Sequence, residues 1–152
     1  MRVILILLNV GLFLATSSMV VVRSIPKDKL VEAIIWVESR GDTLAYNKSE
    51  DALGCLQIRP IMLREVNRLL AKNSIKKVYT LKDRTSRSKS IQMFNVIRGH
   101  INNPTDERIA RTWNGGYNYG ESTLKYWNKV YIIICNFKNI GIIRIFSLYN
   151  TI

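Results

Sequence analysis

The chain has 152 residues, 47% of them hydrophobic and 22% charged, and 23 Lys and Arg against 11 Asp and Glu leave a formal net charge of +12. That size suits one domain, and the apolar content excludes a disordered chain, which would lack the material for a core. Two cysteines, one histidine, eight glycines and three prolines exclude a disulfide-dense scaffold, a Cys/His zinc site of the usual spacing and collagen-like or low-complexity architecture.

The charge lies in the middle. Residues 1–24 carry Arg2 and Arg23 and no acid, residues 131–152 carry Lys138 and Arg144 and no acid, and residues 25–130 hold 19 basic residues and all 11 acids, a net +8. A basic domain favours polyanionic partners such as nucleic acid, an anionic membrane or an acidic cell-wall polymer. The scatter of the basic residues, with no aromatic-basic motif among them, argues against nucleic acid.

Arg2, the apolar run at 3–15 and the small polar Thr16-Ser17-Ser18 have the layout of a secretory signal peptide, with a cut near Ala15–Ser18. The alternative is an uncleaved anchor, because Val3–Val22 is 20 residues without charge. Either predicts export to the periplasm or cell envelope, with membrane contact through this segment if it is retained. The chain thus divides into a signal peptide or anchor (1–23), a folded domain (24–130) and an apolar, isoleucine-rich tail (131–152).

Within the folded part, Pro26 suits a first helical position with Ser24 as a nearby cap, and Leu30, Ala33, Ile34 and Val37 recur at helical spacing until Gly41. Residues 42–58 lack a clean period and predict a loop, with 53–58 as a weak strand candidate. Pro60 opens a second helix bearing Leu63, Val66, Leu69 and Leu70. Thr85 or Ser86 caps a third, with Ile91, Phe94, Ile97 and Ile101 on one face. Pro104-Thr105-Asp106-Glu107 starts a fourth that runs to Trp113, and Ser122 or Thr123 starts a fifth, with Leu124, Trp127 and Val130 in phase. The tail has three readings: a last strand or helix covering the core, a membrane-facing segment, or a stretch without a selected role. Cys55 and Cys135 either pair, as export permits, or remain two buried thiols. His100 has no acid or nucleophile nearby in sequence and is read as structural.

Glu38 is the acid of greatest interest. It ends an apolar helix, after Ile34-Ile35-Trp36-Val37 and before Ser39-Arg40-Gly41. Apolar neighbours disfavour the charged carboxylate and raise its pKa, and an acid that keeps its proton near neutral pH can protonate a leaving oxygen. Position alone favours an ordinary solvated glutamate.

The surrounding blocks shift that balance. Glu38-Ser39-Arg40-Gly41 is followed by Ala52-Leu53-Gly54-Cys55-Leu56-Gln57-Ile58-Arg59-Pro60, by Ala110-Arg111-Thr112-Trp113-Asn114-Gly115-Gly116 and by Tyr126-Trp127-Asn128-Lys129-Val130. Over about residues 28–130 this order resembles the lytic transglycosylases of the soluble type, whose pattern is E-S-x-x, then G-x-x-Q-[IM]-x-P, then A-Y-N-x-G, often followed by Y-x-x-K-V. The W-N-G-G form resembles small bacterial or phage-type domains. Asp51 stands where a glycine is frequent, Cys55-Leu56 replaces Leu-Met, and Trp113 replaces the tyrosine and its hydroxyl.

The resemblance implies a mainly α, lysozyme-like bundle of short helices around a glycan-binding cleft. It implies cleavage of the MurNAc–GlcNAc β-1,4 bond of peptidoglycan to a 1,6-anhydro product, with no cofactor and no metal. Glu38 would be the single general acid and then base. Ser39 would orient the carboxyl group or the sugar N-acetyl group. Gln57, beside the Gly54 turn, and Trp113 and Asn114 would contact the glycan, and Tyr79 is a further candidate whose alternative is a core tyrosine. Tyr126 and Trp127 are read as core. Asp42, Glu50 and Asp51 are read as turn or surface residues, and one of them facing Glu38 would favour a hydrolytic muramidase. A wall-binding module without turnover is the non-enzymatic alternative. Oligomeric state is not legible.

Overall fold

The computed structural model describes residues 28–149, with side chains placed through Phe137. Residues 1–23, expected to be a signal peptide or anchor, and the expected Ser24–Pro26 helix start lie outside the described residues. Among the described residues the chain is mainly α: α1 (Lys29–Ser39), α2 (Pro60–Lys72), α3 (Arg87–Arg98), α4 (Asp106–Gly115) and α5 (Leu124–Tyr149), with a small hairpin of β1 (Tyr46–Asn47) and β2 (Ala52–Leu53) between α1 and α2.

The helix starts follow capping chemistry. Asp28 caps α1 through its carboxylate on the Val31 N–H, so the first helix begins later than Pro26. Pro60 sits at the first turn of α2, where its missing N–H costs nothing. Ser86 caps α3 and Thr105 caps α4, each by a side-chain oxygen on the N–H three residues on. Between α2 and α3 a 3-10 turn spans Leu81–Thr85, closed by a reciprocal Thr80–Asp83 capping box. Lys89 and the Thr80 N–H hold the Asp83 carboxyl down to about 2.

α1 is the central helix. Leu30, Val31, Ala33, Ile34 and Ile35 are all buried, and its main partner is α5. Burying each large aliphatic side chain contributes about 1.5–3 kcal/mol before chain entropy is subtracted. Leu63, Val66, Leu69 and Leu70 from α2, Met93, Phe94 and Ile97 from α3 and Trp113 from α4 complete the core. The Trp113 ring meets Phe94 edge to face, with centroids 5.1 Å apart.

Residues 42–58, expected as a loop, contain the hairpin, with Tyr46 opposite Leu53 and Asn47 opposite Ala52. Beyond β2 the chain closes a second tight turn, because Leu53 and Ile58 exchange both backbone hydrogen bonds. Cys55 and Leu56 at its tip are buried. Arg84 secures this region. It is only 4% exposed, and it donates through Nη1 to the backbone oxygens of Asp51 and Ile58 and through Nε to that of Leu81. One buried cation in a polar turn leaves no periodic pattern in the sequence.

α5 passes residue 130 without a break, and both Val130 and Ile134 are buried. The beginning of the apolar tail is therefore core helix. No helix among the described residues is long and apolar enough to cross a membrane. Cys55 and Cys135 are free thiols.

Gly54 marks the tightest constraint. Its φ is +86°, and a Cβ there would lie 1.9 Å from the Arg84 carbonyl oxygen. Gly54→Ala is expected to lower unfolding stability by more than about 2 kcal/mol in urea denaturation. A loss below a few tenths would show that the turn relaxes.

Candidate active site

Glu38 lies in the last turn of α1, which ends with Arg40 in the left-handed conformation and Gly41 at φ +92°. It lines a polar pocket of about 180 Å³ with Asn47 and Glu50 of the hairpin region, Gln57 of the second turn, Arg59 and Met62 at the start of α2, and Trp113 and Asn114 at the end of α4. A second, more apolar pocket of about 470 Å³ shares Arg59, Met62, Trp113 and Asn114 with it and extends past Ile61, Ile97 and Tyr117.

The Glu38 carboxyl is raised from 4.5 to about 7, chiefly because burial removes water from the charged form. Three charged or polar neighbours modify this. The Tyr126 hydroxyl donates a hydrogen bond to Oε1 at 2.7 Å and favours the carboxylate. The Arg59 guanidinium acts in the same direction, and Glu50 opposes it. Burial and the adjacent carboxylate push the Tyr126 phenol well above its ordinary value, so Tyr126 stays a donor. Near neutral pH, then, Glu38 is divided between a proton-bearing and an ionised form, which is the condition for a general acid that later serves as a base.

Of the residues singled out from the sequence, Glu38, Gln57, Trp113 and Asn114 come together around this pocket. Gln57 is held at φ +46° with its side-chain amide nitrogen on the carbonyls of Ala45 and Gly54. Three others are placed elsewhere. The Ser39 hydroxyl donates to the Cys55 carbonyl at 2.9 Å and accepts from the Gly41 N–H, so it fastens α1 to the second turn and does not address the carboxyl group. Gly54 does not line the pocket; it makes room for the Arg84 carbonyl. Tyr79 is 4% exposed; its hydroxyl donates to Gln92, and Asn67 clasps its backbone from both sides. It is a core tyrosine.

The sequence reading also missed residues. Tyr126 packs against the core as expected and in addition is the direct partner of Glu38, a role whose available signal was its place at the head of the Tyr126–Val130 element. Arg59 had the weaker signal of directly preceding Pro60. Glu50 is the turn and surface residue expected, with its side chain 53% exposed, and it also shares the pocket, 3.9 Å from the Arg59 guanidinium. Asn47 carried no signal. Asp42 and Asp51 do serve their turns: Asp42 accepts from the Leu44 N–H, and Asp51 faces Arg84. Among the described residues no cluster of His, Cys, Asp and Glu could hold a metal ion.

Comparison of the chain with protein-family models, curated proteins and solved structures finds no match in any of the three.

The protonation of Glu38 has a consequence for stability. Below pH 4.5 the group is neutral in both folded and unfolded chains and contributes nothing. As pH rises from 4.5 to about 7 the unfolded chain ionises while the folded one holds its proton, so stability falls, and the cost is complete above about 7. Glu38→Gln is expected to unfold at higher free energy than wild type at pH 8, by on the order of 1–3 kcal/mol, with little difference at pH 4. Equal effects at the two pH values would mean that the carboxyl is not protected.

Proposed function

We propose that this chain is an exported peptidoglycan lytic transglycosylase of lysozyme-like fold that cleaves the MurNAc–GlcNAc bond. The observation that carries the proposal is a half-buried carboxyl with its pKa raised to about 7, facing a polar pocket that also presents Gln57 and Asn114. The order of the Glu38, Gln57 and Asn114 blocks along the chain, behind an export-type N-terminus, supports the same assignment.

In this mechanism Glu38 gives its proton to the glycosidic oxygen as the anomeric bond breaks, and the N-acetyl group of the substrate stabilises the positive charge at the anomeric carbon. The Glu38 carboxylate then takes the proton of the C6 hydroxyl as that oxygen closes on the same carbon. The proton count returns to its start and no water enters, which is why one carboxylate suffices. Tyr126 keeps the carboxyl group oriented through both steps and favours its ionised stage.

One observation favours a second assignment. Glu50 lies in the same pocket, and a second carboxylate beside the acid is the arrangement by which glycosidases activate water or stabilise the cation. A muramidase-type hydrolase is the resulting alternative.

The full chain incubated with purified sacculi distinguishes the two, because an anhydro end is lighter than a reducing end by one water in mass spectrometry. Anhydro-muropeptides are expected, with a rate that falls as pH rises through about 7. Glu38→Gln is expected to lose about 10²–10⁴-fold in rate. Reducing ends whose release Glu50→Gln suppresses would establish the hydrolase. Undiminished lysis by Glu38→Gln would remove that carboxyl from the chemistry.

A further inference from the structure

Arg59 is the cation among the residues lining the Glu38 pocket, and it also lines the larger apolar pocket next to it. Its guanidinium carries five N–H donors. Against the described residues it spends few of them. Nη2 reaches the Asn114 carbonyl at 3.3 Å, the long end of the hydrogen-bond range. Nη1 lies 3.9 Å from Glu50, close enough for charge attraction but too far for a hydrogen bond. Both side chains keep contact with water, at 30% exposure for Arg59 and 53% for Glu50, so their pairing is weak and exchangeable. Apart from the carboxyl groups of Glu38 and Glu50, the other polar groups of the pocket, Asn47, Gln57 and Asn114, are uncharged.

Resting on the glycan-cleaving assignment, we infer that Arg59 is the specificity-determining residue of this site: it takes a carboxylate carried by the substrate sugar at the junction of the two pockets, displacing Glu50 as its partner. A planar fork with free donors accepts a carboxylate in two parallel charge-assisted bonds, where Glu50 now makes none. The position of Arg59 fixes where that carboxylate sits. The pocket beyond Arg59 is lined by Ile61, Met62, Glu65 and Tyr117. An uncharged N-acetylated glycan leaves the Arg59 fork unpaired and satisfies the pocket poorly.

The chemistry of a carboxylate is shared by two sources, the lactyl ether itself on peptide-free strands and the stem peptide on intact strands. Binding is measured by calorimetry with the full chain carrying Glu38→Gln, so that nothing is cleaved, against three probes: amidase-stripped glycan strands, muropeptide-bearing strands and chitin oligomers. The expected result is a preference for a carboxylate-bearing strand over chitin that falls about tenfold or more on adding Arg59→Gln, the loss of a charge-assisted pair. Arg59→Lys is expected to recover part of the preference, and it serves as the second variant if Arg59→Gln unfolds. Glu50→Gln is expected to increase the preference by freeing the fork. Loss on stripped strands identifies the lactyl carboxylate, and loss confined to peptide-bearing strands identifies the stem peptide. A preference that survives both Arg59 variants overturns the inference, even where the wild-type chain releases anhydro-muropeptides. Failure of the wild-type chain to cut sacculi overturns instead the activity on which it rests.

Discussion

The hydrogen bond from the Tyr126 hydroxyl to the Glu38 carboxyl organises the site. It joins residues 88 positions apart in the chain and ties the end of α1 to the start of α5 where the two helices pack. Two opposed effects meet at this carboxyl. Burial in the helix interface drives the proton on, and the phenol and the Arg59 guanidinium favour its removal. Burial wins, but not by far, so the group is left near 7. A fully dry carboxyl would rise further and lose the ability to act as a base; a solvated one would have no proton to give.

The other wall of the pocket is built by the hairpin and the turn after it, and there the scaffold is an internal cation. Arg84 holds the backbone at Asp51 and Ile58, while its own carbonyl lies so close to Gly54 that no side chain fits there. Ser39 completes the arrangement by fastening α1 to the Cys55 carbonyl. Gln57, Arg59 and Glu50 are therefore carried on segments whose backbone is fixed from behind by groups that never reach the pocket. In this division of labour Ser39 and Gly54 hold the site in shape, and the residues they position line it.

Much of the helical architecture was legible from local signals. The spacing of Leu63, Val66, Leu69 and Leu70 marks the face α2 buries, and Ser86, Thr105 and Pro60 mark the starts of their helices. Capping and amphipathic periodicity are short-range effects, so a single sequence carries them. Short-range signals gave less at the margins. The first helix starts at Lys29, α4 runs on to Gly115 and α5 continues past residue 130. The hairpin was missed because strands of two residues leave no alternation to read.

The prominence of Glu38, at the end of an apolar helix and ahead of the Gln57 and Asn114 blocks, was determined by the sequence alone, because the apolar composition of its own helix is a local property. Which hydroxyl serves that carboxyl was decided only by the tertiary structure: Tyr126 is brought to it, while Ser39, its neighbour in the chain, turns away to a backbone carbonyl and Tyr79 is consumed in the core. The same holds for Arg59 and Glu50, whose exposure and mutual distance depend on how the hairpin meets α2. A residue type and its helical phase are fixed along one segment, but a partner across the fold is set by the packing of segments that share no local pattern.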